Sequence, residues 1–123
     1  MEQEAALYRR KKLPSRRRSE TFEFDVKSQF GRETMHYITT VGFYPSGKVA
    51  EVFIRAGKPG SSLNIAMLEL STVVSIALQW SVPLEALRSA LPRNSETPEG
   101  ALGALLDLIT DTGIKDAIRE LLE

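Results

Sequence analysis

Six consecutive residues, GKPGSS at positions 57–62, combine the side chains and the backbone freedom that phosphate binding requires. They directly precede a long apolar stretch with the character of a helix, and free backbone N–H groups at a helix N-terminus attract anions. The spacing differs from that of a P-loop, which needs a longer interval between its glycines and a terminal Lys-Ser/Thr pair. We predict a phosphate-ligand site formed by Gly57, Lys58, Gly60, Ser61 and Ser62. The alternative is that Ser61 or Ser62 only caps the helix.

A basic arm is the second candidate for binding an anion. Residues 1–18 carry seven Lys/Arg against two Glu, whereas the remaining chain carries nine Lys/Arg and fourteen Asp/Glu, so the net charge of zero hides a strong asymmetry. We predict a mobile arm whose Arg16, Arg17 and Arg18 contact the phosphate of a nucleotide, with the arm folding over the glycine loop. Nucleic acid is an alternative partner, although Tyr8 is the only aromatic residue in the arm.

The sequence contains few residues that could act in catalysis. The sequence has no cysteine and one histidine, His36, which excludes thiolate chemistry and argues against a histidine-based metal site. His36 alternates with Met35 and Tyr37, so it should lie on the opposite, solvated face of a strand. We interpret Glu23 and Asp25 as part of the solvated face of another strand. We predict no catalytic residue, no metal site, no cofactor and no enzymatic activity.

Alternating apolar residues predict the sheet that would position these groups. Residues 20–26 and 35–43 alternate, and residues 49–56 follow at hairpin distance after the turn Pro45-Ser46-Gly47, which predicts an antiparallel meander of at least three strands. The apolar stretch 62–80 predicts a long helix covering the sheet, so the fold class is α+β. We expect the helix residues Leu70, Val74 and Ala77 to meet Phe22, Phe24, Val26, Val41 and Phe53.

The long helix is apolar around most of its circumference, leaving a narrow polar stripe of Asn64, Ser71, Thr72, Ser75 and Gln79. Such a helix is buried on more than one side, which predicts a homo-oligomer, with a homodimer as the simplest form. It is too polar and too short for a confident membrane span, and residues 1–18 do not form a signal peptide. We therefore expect a cytoplasmic protein that does not enter a membrane.

The remaining chain is predicted to be helical. Residues 84–91 suggest a short helix, and Thr97-Pro98-Glu99 has the N-cap and first-turn signature of another, running through Ile109 to Asp111. Gly113 should break it before a last amphipathic segment at 114–122. The predicted organisation is a basic arm at 1–18, an α+β domain at 19–92 and an acidic leucine-rich helical tail at 93–123.

Four segments, LPSRRRSETFEF, GFYPSGKVAEVFI, GKPGSSL and VSIALQWSVPLEAL, resemble the TSCPD domain in order and spacing. The resemblance covers Leu13 to Leu91. It implies a relation to vitamin B12-dependent (class II) ribonucleotide reductases, which carry this domain near the C-terminus, and to small stand-alone proteins. In those reductases the radical cysteine, the redox cysteine pair and the cobalamin site belong to a separate large barrel, so the resemblance implies ancestry without the activity.

Two classes of function therefore remain open. The first is a non-catalytic module that binds a nucleotide or another phosphate-bearing ligand, including a protein that sequesters such a ligand. The second is an accessory or regulatory subunit of an adenosylcobalamin-dependent ribonucleotide reductase that acts through protein contacts. Nucleic-acid binding through the arm is a further alternative.

Overall fold

A computed structural model describes residues 9–27 and 33–110 of the chain. Three strands, β1 (Ser19–Lys27), β2 (Thr34–Phe43) and β3 (Val49–Ala56), form an antiparallel sheet in the order β1-β2-β3. Helix α1 (Ser62–Gln79) follows, then α2 (Leu84–Ala90), the two-residue strands β4 (Arg93–Asn94) and β5 (Thr97–Pro98), and α3 (Ala101–Leu108). The predicted α+β class and the three-stranded meander are confirmed.

The inner face of the sheet follows the predicted alternation in β1 and β2 but not in β3. Phe24 is buried and Phe22 and Val26 pack against the core, as expected. Inward-facing Val41 of β2 lies opposite Val52, and this register places Val52 and Ile54 inside. The expectation for Phe53 is therefore wrong: Phe53 lies opposite Thr40 and points to the outer face. Strand β3 carries apolar residues at both odd-numbered and even-numbered positions. The alternation of apolar and polar residues therefore does not show which side of this strand faces the core.

Helix α1 meets the sheet with its polar stripe as well as with Val74, so the predicted orientation is confirmed at Val74 and wrong at Leu70 and Ala77. Ser71 is fully buried, and Ser75 and Gln79 are nearly so, whereas Leu70 is 42% exposed and does not take the predicted core position. Val74 does belong to the core cluster. Thr72, which belongs to the polar stripe in the sequence, is exposed. Its hydroxyl donates a hydrogen bond to Leu68 O within the helix.

The reason for this orientation is the edge of the sheet. Strand β3 is an edge strand, and the backbone groups it directs away from β2 need hydrogen-bond partners. The stripe of α1 supplies them: Ser71 Oγ accepts from Ile54 N at 2.8 Å and Ser75 Oγ from Val52 N at 2.9 Å. Asn64 Oδ1 accepts from Ala56 N, and Gln79 Nε2 donates to Ala50 O, each at 3.2 Å. The helix thus covers the edge that a fourth strand would otherwise extend.

The segment after α1 completes the core. Helix α2 has the predicted position, whereas α3 begins at Ala101 with Gly100 as N-cap, so the N-terminal signature at Thr97-Pro98 is wrong. Thr97 and Pro98 instead pair with Asn94 and Arg93 in a tight hairpin. Leucines 102, 105 and 106 are buried in the same cluster as the sheet residues. The predicted segment 114–122 lies outside the described residues, and the division into arm, domain and tail stays a prediction.

Candidate functional site

The glycine loop at 57–62 has the geometry of a helix entry. Gly57 and Gly60 adopt positive φ values of 68° and 81°, which favour glycine. Ser61 is the N-cap of α1, and its Oγ accepts from Asn64 N at 3.3 Å, so the capping role predicted for Ser61 or Ser62 is confirmed for Ser61. The Ser61 amide donates to Lys58 O at 3.0 Å and is therefore used within the loop. The Lys58 side chain is exposed beside these residues.

The described part of the basic arm, residues 9–18, lies at the opposite end of α1 from this loop. Arg10 Nε donates to Gln79 Oε1 and Lys11 N donates to Gln79 O, each at 2.7 Å, which joins the arm to the last residue of the helix. An 18-residue helix is about 27 Å long. For residues 9–18 the expectation that the arm folds over the loop is therefore wrong, and Arg16, Arg17 and Arg18 do not form one site with Lys58.

The three consecutive arginines have different surroundings. Arg17 Nε donates to Glu51 Oε1 at 2.7 Å and its Nη1 to Pro14 O at 2.8 Å. This contact with Glu51 raises the pKa of the Arg17 guanidinium above its ordinary value. The Arg18 guanidinium stacks over the Phe43 ring at 4.4 Å, while Arg16 is exposed and lines a small cavity with its two neighbours. Arg17 therefore acts as an anchor of the arm.

A carboxylate–histidine–carboxylate cluster occupies the outer face of the sheet. His36 Nδ1 lies 2.6 Å from Asp25 Oδ1, and Nε2 lies 3.2 Å from Glu23 Oε1. These hydrogen bonds, Asp25 first and Glu23 second, raise the pKa of His36 above 6.5. The predicted outward direction of His36 is confirmed, but the cluster itself was missed, because it depends on the pairing of Asp25 with His36 across two strands. Within the described ranges, no group of three or more His, Asp or Glu residues is arranged to hold a metal ion.

A cleft opens where the arm, the β2–β3 turn and the C-terminal end of α1 meet. We call it the α1-end cleft; its volume is about 440 Å³. Its apolar lining includes Leu78, Leu84 and Ile109, and Lys11 and Lys48 contribute the cations. Sequence reasoning missed this cleft because the segments that form it are far apart along the chain.

The outward side of α1 presents large apolar side chains to solvent. We call this surface the α1 outer face; Val73, exposed by 66%, and Trp80, exposed by 44%, belong to it, together with Ile65, Leu68, Leu70 and Ile76. Among the described residues, α1 is also the one helix long and apolar enough to cross a membrane. That match is weak evidence for a membrane span, because a single core helix of a soluble protein passes the same test. The hydrogen bonds from Ser71 and Ser75 to β3 instead make α1 a structural part of the domain.

Comparison with known proteins identifies the family. The sequence profile of the TSCPD domain matches residues 8–123, so this chain belongs to the TSCPD domain family, and the likeness extends beyond Leu91. A vitamin B12-dependent ribonucleotide reductase of Rhodopirellula baltica is 36% identical over 92 residues, which is 75% of this chain and 8% of the reductase.

Two further reductases show the same relation. The enzyme of Streptantibioticus cattleyicolor is 35% identical over 91 residues, covering 74% of this chain and 14% of the reductase. That of Agrobacterium fabrum is 30% identical over 113 residues, covering 91% of this chain and 8% of the reductase. The chain therefore spans about a tenth of the length of these relatives. No solved structure matches it significantly.

Proposed function

We propose that this chain is a non-catalytic docking module that associates with a vitamin B12-dependent ribonucleotide reductase through the α1 outer face. The observation that carries the proposal is the orientation of α1. Its polar stripe is hydrogen-bonded to β3, which leaves the apolar side of the helix at the surface. A group of exposed large apolar side chains on one side of a folded domain usually marks an interface, and Glu69, between Ile65 and Val73, is the one charged residue of this helix.

The size of the α1 outer face fits this role. Six large apolar side chains, each between 37% and 66% exposed, lie on this face, five of them within the 18-residue helix and Trp80 at its C-cap. Together they present apolar surface on the order of a few hundred Å². A specific interface buries about 800 Å² on each partner, so these side chains supply the centre of such a contact and the surrounding polar residues supply its rim.

The relatives suggest what covers this face. In them the matching region is part of a reductase polypeptide that is about ten times as long. A domain within so large a protein has neighbouring surfaces to pack against, and we infer that the α1 outer face serves that contact. The absence of cysteine supports a role without radical or thiol chemistry. A cytoplasmic location, as expected from the sequence, agrees with this proposal.

A binding experiment with a matched pair of variants tests the proposal. The partner is the Rhodopirellula baltica reductase from which the matching 92 residues have been removed, immobilised for biolayer interferometry. Val73→Lys places a charge in the α1 outer face, and Ile38→Lys places the same charge on the outer face of the sheet, where Ile38 is 41% exposed. We expect binding by the wild type and by Ile38→Lys, and a loss of at least tenfold for Val73→Lys.

Sedimentation of the chain alone separates the alternative. The sequence also predicts a homodimer, in which a second copy of this chain would cover the α1 outer face. A dimer that Val73→Lys dissociates, with no binding to the reductase, would replace docking by self-association. A monomer that binds no reductase would contradict both proposals.

A second candidate function is the binding of a nucleotide or another phosphate-bearing ligand at the glycine loop. It is favoured by the exposed Lys58 next to two positive-φ glycines at the start of α1. Lys58→Ala should weaken binding of such a ligand and leave the fold intact, since Lys58 contributes nothing to the core. Nucleic-acid binding through the arm stays a prediction.

A further inference from the structure

We propose that the α1-end cleft binds a small amphipathic anion, a molecule with an apolar or aromatic body and one phosphate or carboxylate group. This site is distinct from the glycine loop, which lies at the other end of α1, and from the α1 outer face. The proposal does not depend on docking to a reductase.

The size and the lining of the cleft indicate which kind of ligand it can bind. A volume of about 440 Å³ falls within the range typical of small-molecule sites. The lining is mostly apolar: it includes Leu78 and Ile109, which are buried, and Leu84, which is partly buried. A purely polar ligand would lose hydration here without gaining partners. The body of the ligand is therefore apolar or aromatic.

The charges at the rim select an anion. Lys11 and Lys48 both line the cleft, and neither forms an ion pair with any residue in the described part of the chain. Glu85, the acid among the described lining residues, is already engaged by Arg88 at 3.1 Å and by Ser89 at 3.3 Å. Two full positive charges also outweigh the partial negative charge at the C-terminal end of α1, which is about half a unit.

The lysines are held near each other by the β2–β3 turn. Tyr44 N donates to Lys48 O at 2.9 Å, and the Tyr44 hydroxyl donates to Lys11 O at 3.0 Å. The Lys11 Nζ lies 4.4 Å from the centre of the Tyr44 ring. Because these contacts fix the backbone at both lysines, only the lysine side chains remain to be ordered on binding. The side chains of Lys11 and Lys48 can be removed without breaking the two backbone contacts.

The experiment uses the full chain and the fluorescence of Trp80, the single tryptophan, which directly precedes the cleft residue Ser81. Four probes are titrated and checked by calorimetry: adenosine monophosphate, adenosine, inorganic phosphate and octanoate. The nucleotide and octanoate share an anionic group on an apolar or aromatic body, and their relative affinities show which body fits. We expect at least one of these two to bind more tightly than adenosine and inorganic phosphate.

Substitutions of individual lysines by alanine locate the site. Lys11→Ala and Lys48→Ala should each raise the Kd about tenfold, as the loss of one charge-assisted contact would, and the double variant about a hundredfold. Lys27→Ala is the matched control: Lys27 is exposed at the end of β1 and does not line the cleft, so the Kd of this variant should stay within about twofold of the wild type. Higher salt should weaken binding in the wild type.

The outcomes are distinct. No binding of either amphipathic anion at millimolar concentration would overturn the proposal, as would unchanged affinity in the double variant. If adenosine binds as tightly as adenosine monophosphate, the lysines do not contribute to binding and the proposed selection of an anion is wrong. Loss of binding in Lys58→Ala alone would move the site to the glycine loop, and none of these results bears on whether the α1 outer face docks to a reductase.

Discussion

Replacing Ser71 by alanine tests whether the polar stripe of α1 secures the edge of the sheet. The Ser71 hydroxyl is fully buried, accepts from Ile54 N at 2.8 Å and donates to Met67 O at 2.7 Å. Alanine removes one oxygen atom, creates almost no cavity and leaves the Ile54 N–H without a partner. Water does not reach this position, because Ser71 is 0% exposed.

Two opposing contributions determine the magnitude. Leaving a buried N–H without a partner costs about 1–3 kcal/mol. Alanine has a higher helix propensity than serine, which returns about 0.5 kcal/mol. The first contribution is larger, so the free energy of unfolding should fall by about 1.5 kcal/mol. With a urea m-value of about 2 kcal/mol/M, the unfolding midpoint falls by about 0.7 M.

Urea unfolding followed by circular dichroism provides the assay, and Thr72→Ala provides the control. The Thr72 hydroxyl is exposed and bonds only Leu68 O within the helix. Its removal should leave stability unchanged or raise it by about 0.5 kcal/mol through helix propensity. If Ser71→Ala is as stable as Thr72→Ala, the hydrogen bond to the sheet edge does not stabilise the fold and our account of the helix orientation is refuted.

Two further predictions concern the sheet. Because hydrogen bonds to Asp25 and Glu23 raise the pKa of His36 above 6.5, protonated His36 stabilises the fold fully below about pH 6.5, and this contribution is lost as the pH rises through the folded-state pKa. An NMR titration should show a midpoint above 6.5 that falls in Asp25→Asn, and equal midpoints would contradict the ion pair. Gly42→Ala would place a Cβ 2.5 Å from Glu51 Oε1 and displace the partner of Arg17; we expect a loss of about 1–3 kcal/mol in thermal or urea unfolding. The same change should cost clearly less in a Glu51→Ala background, and an equal cost would show that Glu51 is not the obstacle.

Local sequence patterns were sufficient to predict the strands and the helix cap. Alternation in β1 and β2 reports which side chains share a face, and a serine after glycine at the start of an apolar run is a cap signal that needs no distant partner. The orientation of α1 could not be obtained in this way. A helical wheel shows that Ser71 and Ser75 share a side, but not that an edge strand with open backbone groups would lie beside them.

The candidate sites differ in the same respect. The geometry of the glycine loop is local and was predicted closely, including the cap at Ser61. The His36 cluster depends on the register between two strands, and the α1-end cleft depends on segments from Lys11 to Ile109. Contacts between residues far apart in sequence are set by tertiary packing, which neither composition nor periodicity encodes.

The orientation of α1 separates two properties that most helices must satisfy with the same residues. On the inward side, hydrogen-bond geometry restricts Ser71 and Ser75 to small polar residues of suitable reach, beside the core residues Val74 and Leu78. On the outward side, Val73 and its neighbours contribute little to the core, so they can be exchanged for other apolar residues at small cost in stability. The outward side of this helix can therefore vary in sequence while the domain continues to fold, which makes it a suitable surface for engineering new binding specificities.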